Sequence, residues 1–251
     1  MIRAAATVIE TPALAVTADD EGGVAAAREL ARALDLPYLP PANANAALLL
    51  RRTVDRLELY DVTLEQRLAV DFASNTLARN RLLAREPLAR ALGRDTRRVI
   101  DATAGFGGDS VRLASRCQVT AIERHPAVAA LLRDGVHRAE RGGALDPGRI
   151  RVISGDARAL LPRLAPECDA VFLDPMFPPK RKRSAAVRKE QRLLRALVGD
   201  DTDASELLAV ACACVRRVIV KRPLHAPPLA PRPSASYAGK LVRYDVYRDH
   251  G

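Results

Sequence analysis

The sequence predicts an α/β fold built on a mostly parallel, doubly wound sheet. Three observations support this prediction: from residue 97 onward short apolar segments alternate with helical patterns, a glycine-rich turn follows the first apolar segment, and acidic residues close four of these segments. Alternating strands and helices favour a parallel sheet with helices on both faces. Ligands of such sheets bind beyond the carboxyl ends of the strands, so the turn and the acids together favour a Rossmann-like arrangement.

The N-terminal part is predicted to be a small α/β appendage over residues 1–62. Strands are expected at 4–9 and 14–16, a helix at 24–34, and a hairpin with strands at 48–50 and 57–60. Residues 63–95 are expected to form a mostly helical connector that is broken at Pro87. Residues 96–251 then form the main domain, which contains all the motifs with chemical meaning.

Within the main domain the expected elements follow one another regularly. Strands are predicted at 98–101, 119–123, 149–153, 170–173, 218–221 and 243–247. Helices are predicted at 111–116, 126–140, from 157 onward, 185–198 and 204–214. Residues 223–233 include five prolines and are therefore expected to form a stiff loop.

Positive charge is concentrated in the main domain. The chain of 251 residues has a net charge of +10, but residues 1–95 carry 12 basic and 13 acidic side chains, whereas residues 96–251 carry 28 and 17. A basic surplus in one half is expected where that half binds a polyanion such as a nucleic acid.

Other compositional features exclude several kinds of protein. The four cysteines and four histidines lack the spacing of metal ligands, so no metal site is predicted. No signal peptide and no apolar run long enough to span a membrane is present. The sequence therefore predicts a cytoplasmic protein with reduced cysteines and without a membrane partner.

The glycine-rich turn and a later acid form a candidate nucleoside-binding motif. Gly105, Gly107 and Gly108 allow the backbone to approach a ligand closely, and Glu123 ends the next strand, where a carboxylate can accept the hydroxyls of a ribose. Ser110 replaces the third glycine of a dinucleotide fingerprint. The carboxylates of Asp101 and Asp109 would repel a pyrophosphate and suit a cation, so the motif favours S-adenosylmethionine over a dinucleotide.

Two further strands end in acids. Asp156, before Ala157, could accept from the adenine amine or could simply cap the following helix. Asp174 is followed by Pro175 and Phe177, a combination suited to clamping a planar group with an exocyclic amine. Asp174 and a carbonyl near Pro175 would accept the amine hydrogens, while Phe177 would stack on the ring. Methyl transfer to that amine would then depend mainly on positioning.

A basic segment follows the clamp directly. Lys180, Arg181, Lys182 and Arg183 begin a stretch over 180–195 with eight cations and one acid. Lys221 and Arg222 end a later strand and are expected at the same edge of the sheet. We interpret these six cations as candidate phosphate contacts to a nucleic acid.

These motifs together resemble the ribosomal RNA small subunit methyltransferase J family. The resemblance covers about residues 60–250 and is carried by 101–109, 123–132, 173–178 and 220–223, with 197–200 and 226–229. It implies a class I methyltransferase that uses S-adenosylmethionine to make N2-methylguanosine in 16S rRNA of bacteria. By position it implies donor binding by Gly108, Asp109, Glu123, Arg124, Asp156, Ala157 and Asp174.

The chain departs from the family pattern at three places. Gly108 stands where an arginine is often found, and Asp156-Ala157 stands where the family has two serines. Residues 81–86 replace a glycine-rich segment, so substrate contacts from that segment are not carried over. Two other functions fit the same residues: an amino-methyltransferase acting on DNA or protein, and a non-catalytic nucleoside-binding factor in ribosome assembly.

Overall fold

The computed structural model describes residues 13–72, 81–175, 192–194, 197–198 and 203–248. The chain divides into two compact units, one ending at Ala69 and the other beginning at Val70. The predicted strand at 4–9 and most of the predicted helix at 185–198 lie outside the described residues.

Over its described residues 13–69, the first unit contains a four-stranded sheet and one α-helix. The strands are β1 (Leu14–Ala18), β2 (Leu48–Arg52), β3 (Leu57–Asp61) and β4 (Gln66–Leu68), and the helix is α1 (Val24–Leu34). Strand β2 pairs parallel with β1 and antiparallel with β3. Leu50 and Leu59, which face each other across the hairpin, are fully buried. The predicted helix and hairpin are thus confirmed.

The expected helical connector over residues 63–95 is wrong for the part that the structure describes. Residues 66–68 instead form β4, which pairs with β3 through Leu68 opposite Leu59. The turn between them is fixed by the Asp61 carboxylate, which accepts from the Leu64 N–H at 3.0 Å. Cross-strand burial of two leucines therefore outweighed the helical pattern. The only regular helix described in this stretch is α2 (Pro87–Leu92), which begins at the expected proline.

The second unit contains a seven-stranded sheet in the order β10-β11-β9-β8-β5-β6-β7. Its strands are β5 (Arg98–Asp101), β6 (Gln118–Glu123), β7 (Ile150–Ser154), β8 (Ala170–Leu173), β9 (Arg217–Pro223), β10 (Ala235–Ala238) and β11 (Val242–Arg248). The other α-helices of this unit whose bounds the structure describes are α3 (Gly108–Ala114), α4 (Pro126–Arg141), α5 (Ala157–Leu164) and α6 (Ala204–Cys214), and residues 192–194 and 197–198 are also helical.

The predicted mostly parallel sheet is confirmed. Strands β9, β8, β5, β6 and β7 are parallel, while β11 and β10 add an antiparallel edge. After β5 the chain builds β6 and β7 on one side and then returns to build β8 and β9 on the other. This change of direction beside β5 is the topological switch point, where sheets of this kind bind ligands.

The sheet is held by an apolar layer beneath α5 and α6. Ile100, Val171 and Val220 lie in one buried cluster with Leu161 of α5 and Leu208 of α6. Because strand side chains alternate between faces, the neighbouring Val99, Phe172 and Ile219, which are also buried, face the other side.

Strand β10 was not predicted. Its four residues, Ala-Ser-Tyr-Ala, follow the proline-rich loop and contain little of the β-branched pattern that marks a strand. The strand forms because β11 offers an edge for pairing, with Tyr237 opposite Tyr244. The loop itself, residues 224–233, has neither helix nor strand, as expected.

All four cysteines lie within the described residues and are thiols. Among those residues, no group of three or more His, Cys, Asp and Glu side chains could hold a metal ion. Likewise, none of the described helices is long and apolar enough to cross a membrane.

The glycine turn gives a matched pair of stability tests. Gly107 has φ +81°, and a Cβ there would lie 2.5 Å from Leu132 Cδ1 and 2.9 Å from Phe72 Cζ. We expect Gly107→Ala to lower the free energy of unfolding by about 1–3 kcal/mol, because the backbone and the packing both resist a side chain.

Gly108→Ala is the control, since the residue begins α3 and, in the described part of the chain, only its chain neighbours and the backbone of α3 come within 4 Å of its Cβ position. It should be neutral or stabilising by up to about 1 kcal/mol, as alanine favours helix. Urea unfolding of both variants measures the difference. Equal stability of the two variants would contradict the described packing of the turn.

Candidate functional site

The candidate site is built on the turn between β5 and α3. Gly105 and Gly107 have φ values of +53° and +81°, a region that side chains other than glycine rarely adopt. The Gly107 N–H donates to the Ala104 carbonyl at 2.8 Å, and Phe72 packs beside Gly107. The glycine pattern is therefore required by the backbone shape of this turn.

Glu123 ties the turn to the end of β6. Its Oε2 accepts from the Gly105 N–H at 2.9 Å, and its Oε1 accepts from the His125 N–H at 2.7 Å. The residue is only 6% exposed. The predicted ribose acceptor is thus also the residue that holds two loops of the site in place, because one carboxylate binds both of their backbones.

Asp101 lies beneath the turn and is 1% exposed. Its carboxylate accepts from Ser110 Oγ at 2.6 Å and from the Thr103 N–H at 3.2 Å. Burial raises the pKa of Asp101 to about 7, against the lowering effect of the Ser110 hydrogen bond. The carboxyl is therefore close to half protonated near neutral pH, and it braces the first turn of α3 from below.

Asp109 and Asp174 are joined by Lys221. The Lys221 ammonium lies 2.5 Å from Asp109 Oδ2 and 2.8 Å from Asp174 Oδ2, so the cation bridges the two acids. Asp174 is also held through its backbone, whose N–H donates to Thr103 Oγ at 2.6 Å. The glycine turn and the proposed amine clamp therefore meet at one point of the sheet edge.

In the bridge, burial and charge act in opposite directions on the pKa values of Asp174 and Lys221. Desolvation raises the pKa of Asp174 to about 6 although 36% of its side chain is exposed, and the Lys221 charge acts in the lowering direction. For Lys221, burial alone would lower the pKa, but the two neighbouring carboxylates outweigh it and raise the pKa. Lys221 therefore stays protonated throughout the neutral range.

Asp156 performs the capping role that the sequence left open. Its carboxylate accepts from the Arg158 N–H at 2.9 Å and pairs with the Arg158 guanidinium at 2.6 Å. The hydrogen bonds from Arg158 lower the pKa of Asp156, so the residue is a carboxylate. Ala157 beside it is buried. Arg124 pairs with Asp203 at 2.8 Å, so it lies at the same side of the site as Arg158, which contacts Asp203 at 3.3 Å.

The remaining predicted site residues divide into two groups. One group lies outside the described residues: Phe177, Lys180, Arg181, Lys182 and Arg183. Pro175 is described and is buried directly after Asp174. Lys221 and Arg222 were expected to contact phosphate, but in the structure both have partners within the chain. Lys221 bridges two acids, and Arg222 is buried and donates to the Pro227 carbonyl at 2.6 Å.

Sequence reasoning missed two contributors to the site, Thr103 and Ser110, whose hydroxyl groups anchor the Asp174 N–H and the Asp101 carboxylate. It named Lys221 as a phosphate contact, whereas the structure pairs Lys221 with Asp174. A signal was present, since Thr103 and Ser110 flank the glycines and Lys221 lies near the end of β9, the strand beside β8 in the sheet. Their partners depend on strand order, which the sequence does not state.

The chemistry of the site fits S-adenosylmethionine. Glu123 and Asp156 provide oxygens for hydroxyl and amino groups, and Asp109 and Asp174 provide negative charge where a cation would lie. Apart from its chain neighbours and the backbone of α3, none of the described residues has an atom within 4 Å of the Cβ position of Gly108. The four carboxylates would repel a pyrophosphate.

Comparison with known proteins agrees with the site. Residues 29–249 match a family model described as "Putative SAM-dependent methyltransferase". The chain is 49% identical over 191 residues to ribosomal RNA small subunit methyltransferase J of Thioalkalivibrio sulfidiphilus, covering 71% of this chain and 74% of that protein. It is 38% identical over 245 residues to the protein of the same name from Coxiella burnetii, covering 93% of this chain and 96% of that protein.

A solved structure is similar along nearly the whole length. The SAM-dependent methyltransferase from Neisseria gonorrhoeae is 34% identical, with a TM-score of 0.73 and coverage of 94% of this chain and 96% of that one. The predicted Rossmann-like class I methyltransferase fold is thereby confirmed, and S-adenosylmethionine is the methyl donor. The chain belongs to the ribosomal RNA small subunit methyltransferase J family of SAM-dependent methyltransferases.

Proposed function

We propose that this enzyme transfers a methyl group from S-adenosylmethionine to the exocyclic N2 amine of one guanosine in 16S rRNA. The observation that carries the proposal is the meeting of the glycine turn with Asp174 at the switch point, through Lys221. We infer from this geometry that the donor lies on the Asp109 side of Lys221 and the target amine on the Asp174 side. The names of the relatives support rRNA of the small subunit as the substrate.

The donor pocket is formed by the turn and by two strand ends. We assign the ribose hydroxyls to Glu123, the adenine amine to Asp156, and the cationic end of the donor to Asp101 and Asp109. The bound donor supplies a methyl group already activated on a sulfonium. The protein therefore needs to exclude water, to fix the donor and to align the acceptor.

Asp174 performs the acceptor part of the chemistry. As a carboxylate at the carboxyl end of β8 it accepts an N–H of the target amine, and Pro175 fixes the backbone after it. The amine nitrogen then bonds to the methyl carbon while the carbon–sulfur bond breaks, and one amine proton leaves to solvent. We assign to Phe177 the stacking of the target base, on the basis of its place in the motif.

The substrate is recognised through its charge as well as its base. Residues 96–251 carry the entire basic surplus of the chain, and residues 180–195 follow the clamp directly. A site for 16S rRNA, either alone or within the small ribosomal subunit, needs such cations around a neutral base. This substrate places the enzyme in the cytoplasm.

The function is tested by nucleoside mass spectrometry of 16S rRNA from cells with and without this protein. Loss of N2-methylguanosine in the deleted strain, restored by the wild-type gene, supports the proposal. Labelled donor offered with rRNA, DNA or protein in separate reactions identifies the acceptor class. Methylation of DNA or protein alone, or none at all, would overturn it.

Glu123 is the first residue to test for donor binding. Glu123→Ala should weaken the binding of S-adenosylmethionine by about 1–3 kcal/mol, because a buried hydrogen-bonding carboxylate is lost. Glu123→Gln keeps one acceptor oxygen and should lose less. Calorimetric titration of both folded variants measures the affinity, and an unchanged affinity in Glu123→Ala would remove the residue from the donor site.

Asp174 should affect turnover far more than donor affinity. Asp174→Ala should lower the single-turnover rate by about 100-fold or more, since the acceptor amine loses its positioning partner. Donor affinity should change by less than about tenfold. If the variant instead binds the donor poorly and methylates normally at saturation, Asp174 is a donor ligand only.

The basic segment should control binding of RNA. Replacing Lys180, Arg181, Lys182 and Arg183 by glutamine should flatten the salt dependence of RNA binding by about 0.7–0.9 log units per lost phosphate contact. Donor affinity should stay the same. A control replaces Arg133, Arg141 and Arg163, which are exposed on α4 and α5. Equal salt slopes for all three proteins would show that the segment does not contact phosphate.

A further inference from the structure

Lys221 occupies a position that neither donor binding nor base recognition explains. Strand β9 pairs parallel with β8, with Leu173 opposite Val220, so the next residues along the two strands, Asp174 and Lys221, lie side by side. Asp109 reaches the same ammonium from the first turn of α3. Three elements that are distant in sequence thus converge on one nitrogen.

The surroundings of the bridge are mainly acidic. Asp109 and Asp174 both act to raise the pKa of the neighbouring Asp101 of β5, whose carboxylate accepts hydrogen bonds from the Ser110 hydroxyl and the Thr103 N–H. Arg112 of α3 is another described cation close by, with its Nη1 4.0 Å from Asp109 Oδ1. Its guanidinium is already engaged by Glu86 at 2.6 Å and contacts Tyr244 Oη at 3.4 Å.

Charge balance at this point depends on Lys221. Asp109, Asp174 and Lys221 together carry one net negative charge, which one sulfonium cation would neutralise. Without the ammonium, the Asp174 carboxylate would adjoin that of Asp109 with no cation between them, and the pKa of Asp174 would rise. A protonated Asp174 would present a hydroxyl donor to an amine that needs an acceptor.

We propose that Lys221 is a positioning residue for methyl transfer: its ammonium ties the clamp carboxylate of Asp174 to the turn carboxylate of Asp109 and favours the anionic form of Asp174. The proposal rests on the proposed function, because it concerns the acceptor site of that reaction. Lys221 therefore sets the distance between donor and acceptor, and it keeps the acceptor side in its working charge state. This role replaces the phosphate contact that the sequence suggested.

The test combines a titration with a rate measurement. Carboxyl carbon NMR shifts of the full-length protein are followed against pH, with Asp174→Asn used to assign the Asp174 signal. In Lys221→Met, the apparent titration of Asp174 should move up by at least about one pH unit, which is a tenfold loss of the carboxylate on the acid side. Lys240→Met, at an exposed lysine, is the matched control and should leave the titration unchanged.

The rate measurement separates positioning from mere structural support. In the wild type, the single-turnover rate of 16S rRNA methylation at saturating donor should fall at low pH. In Lys221→Met, this acid limb of the pH–rate profile should shift to higher pH by as much as the Asp174 titration does. Lys221→Arg keeps the charge, so it should keep the limb within about half a pH unit and restore part of the rate. It also serves as the working variant if Lys221→Met fails to fold.

Three results would overturn the positioning role of Lys221. An unmoved Asp174 titration in Lys221→Met, or a limb that moves in Lys221→Arg as much as in Lys221→Met, overturns the inference. A titration that moves without any change in the rate profile makes Lys221 a structural ion pair and also overturns it. If wild type itself fails to methylate 16S rRNA, the proposed function fails, and the titration still decides whether Lys221 ionises Asp174.

Discussion

The pairing of β5 with β6 on one side and β8 on the other is the constraint on which the site depends. Each pairing is parallel, so the carboxyl ends of all three strands open at one edge, and the chain changes direction there. This pairing brings three acids to a common edge of the sheet. Asp101 and Glu123 are 22 residues apart in sequence, and Glu123 and Asp174 are 51 residues apart. The buried leucines and valines of the sheet matter for function because they fix this register.

Much of this arrangement could be predicted because it depends on local sequence patterns. The strand ends, the glycine turn and the order of helices and strands follow from hydrophobic periodicity and from glycine positions, and these are confirmed. Strands β4 and β10 were missed for one shared reason. Both are short edge strands whose stability comes from a partner strand, and a window of three or four residues carries no sign of that partner.

The limits at the site have the same origin. The sequence identified Asp101, Asp109 and Asp174 as acids near a ligand, but it could not state which would have a cation beside it. Lys221 was expected to point to phosphate because its charge is visible in the sequence while its neighbours are not. Only the parallel pairing of β8 and β9 shows that the lysine and Asp174 share one register position.

Asp156 and Asp101 have the same type of side chain but differ in charge state near neutral pH. Asp156 lies near the surface beside Arg158 and has a lowered pKa, whereas Asp101 has only Ser110 and Thr103 as hydrogen-bond donors in its described surroundings and has a pKa near 7. Because the folded-state pKa of Asp101 exceeds its ordinary value of 3.8, folding favours its protonated form. Stability from this group is complete below about pH 4 and falls as pH rises toward 7. Burying an acid under the turn therefore opposes stability at neutral pH, whereas an apolar residue of similar size at that position would not carry this cost.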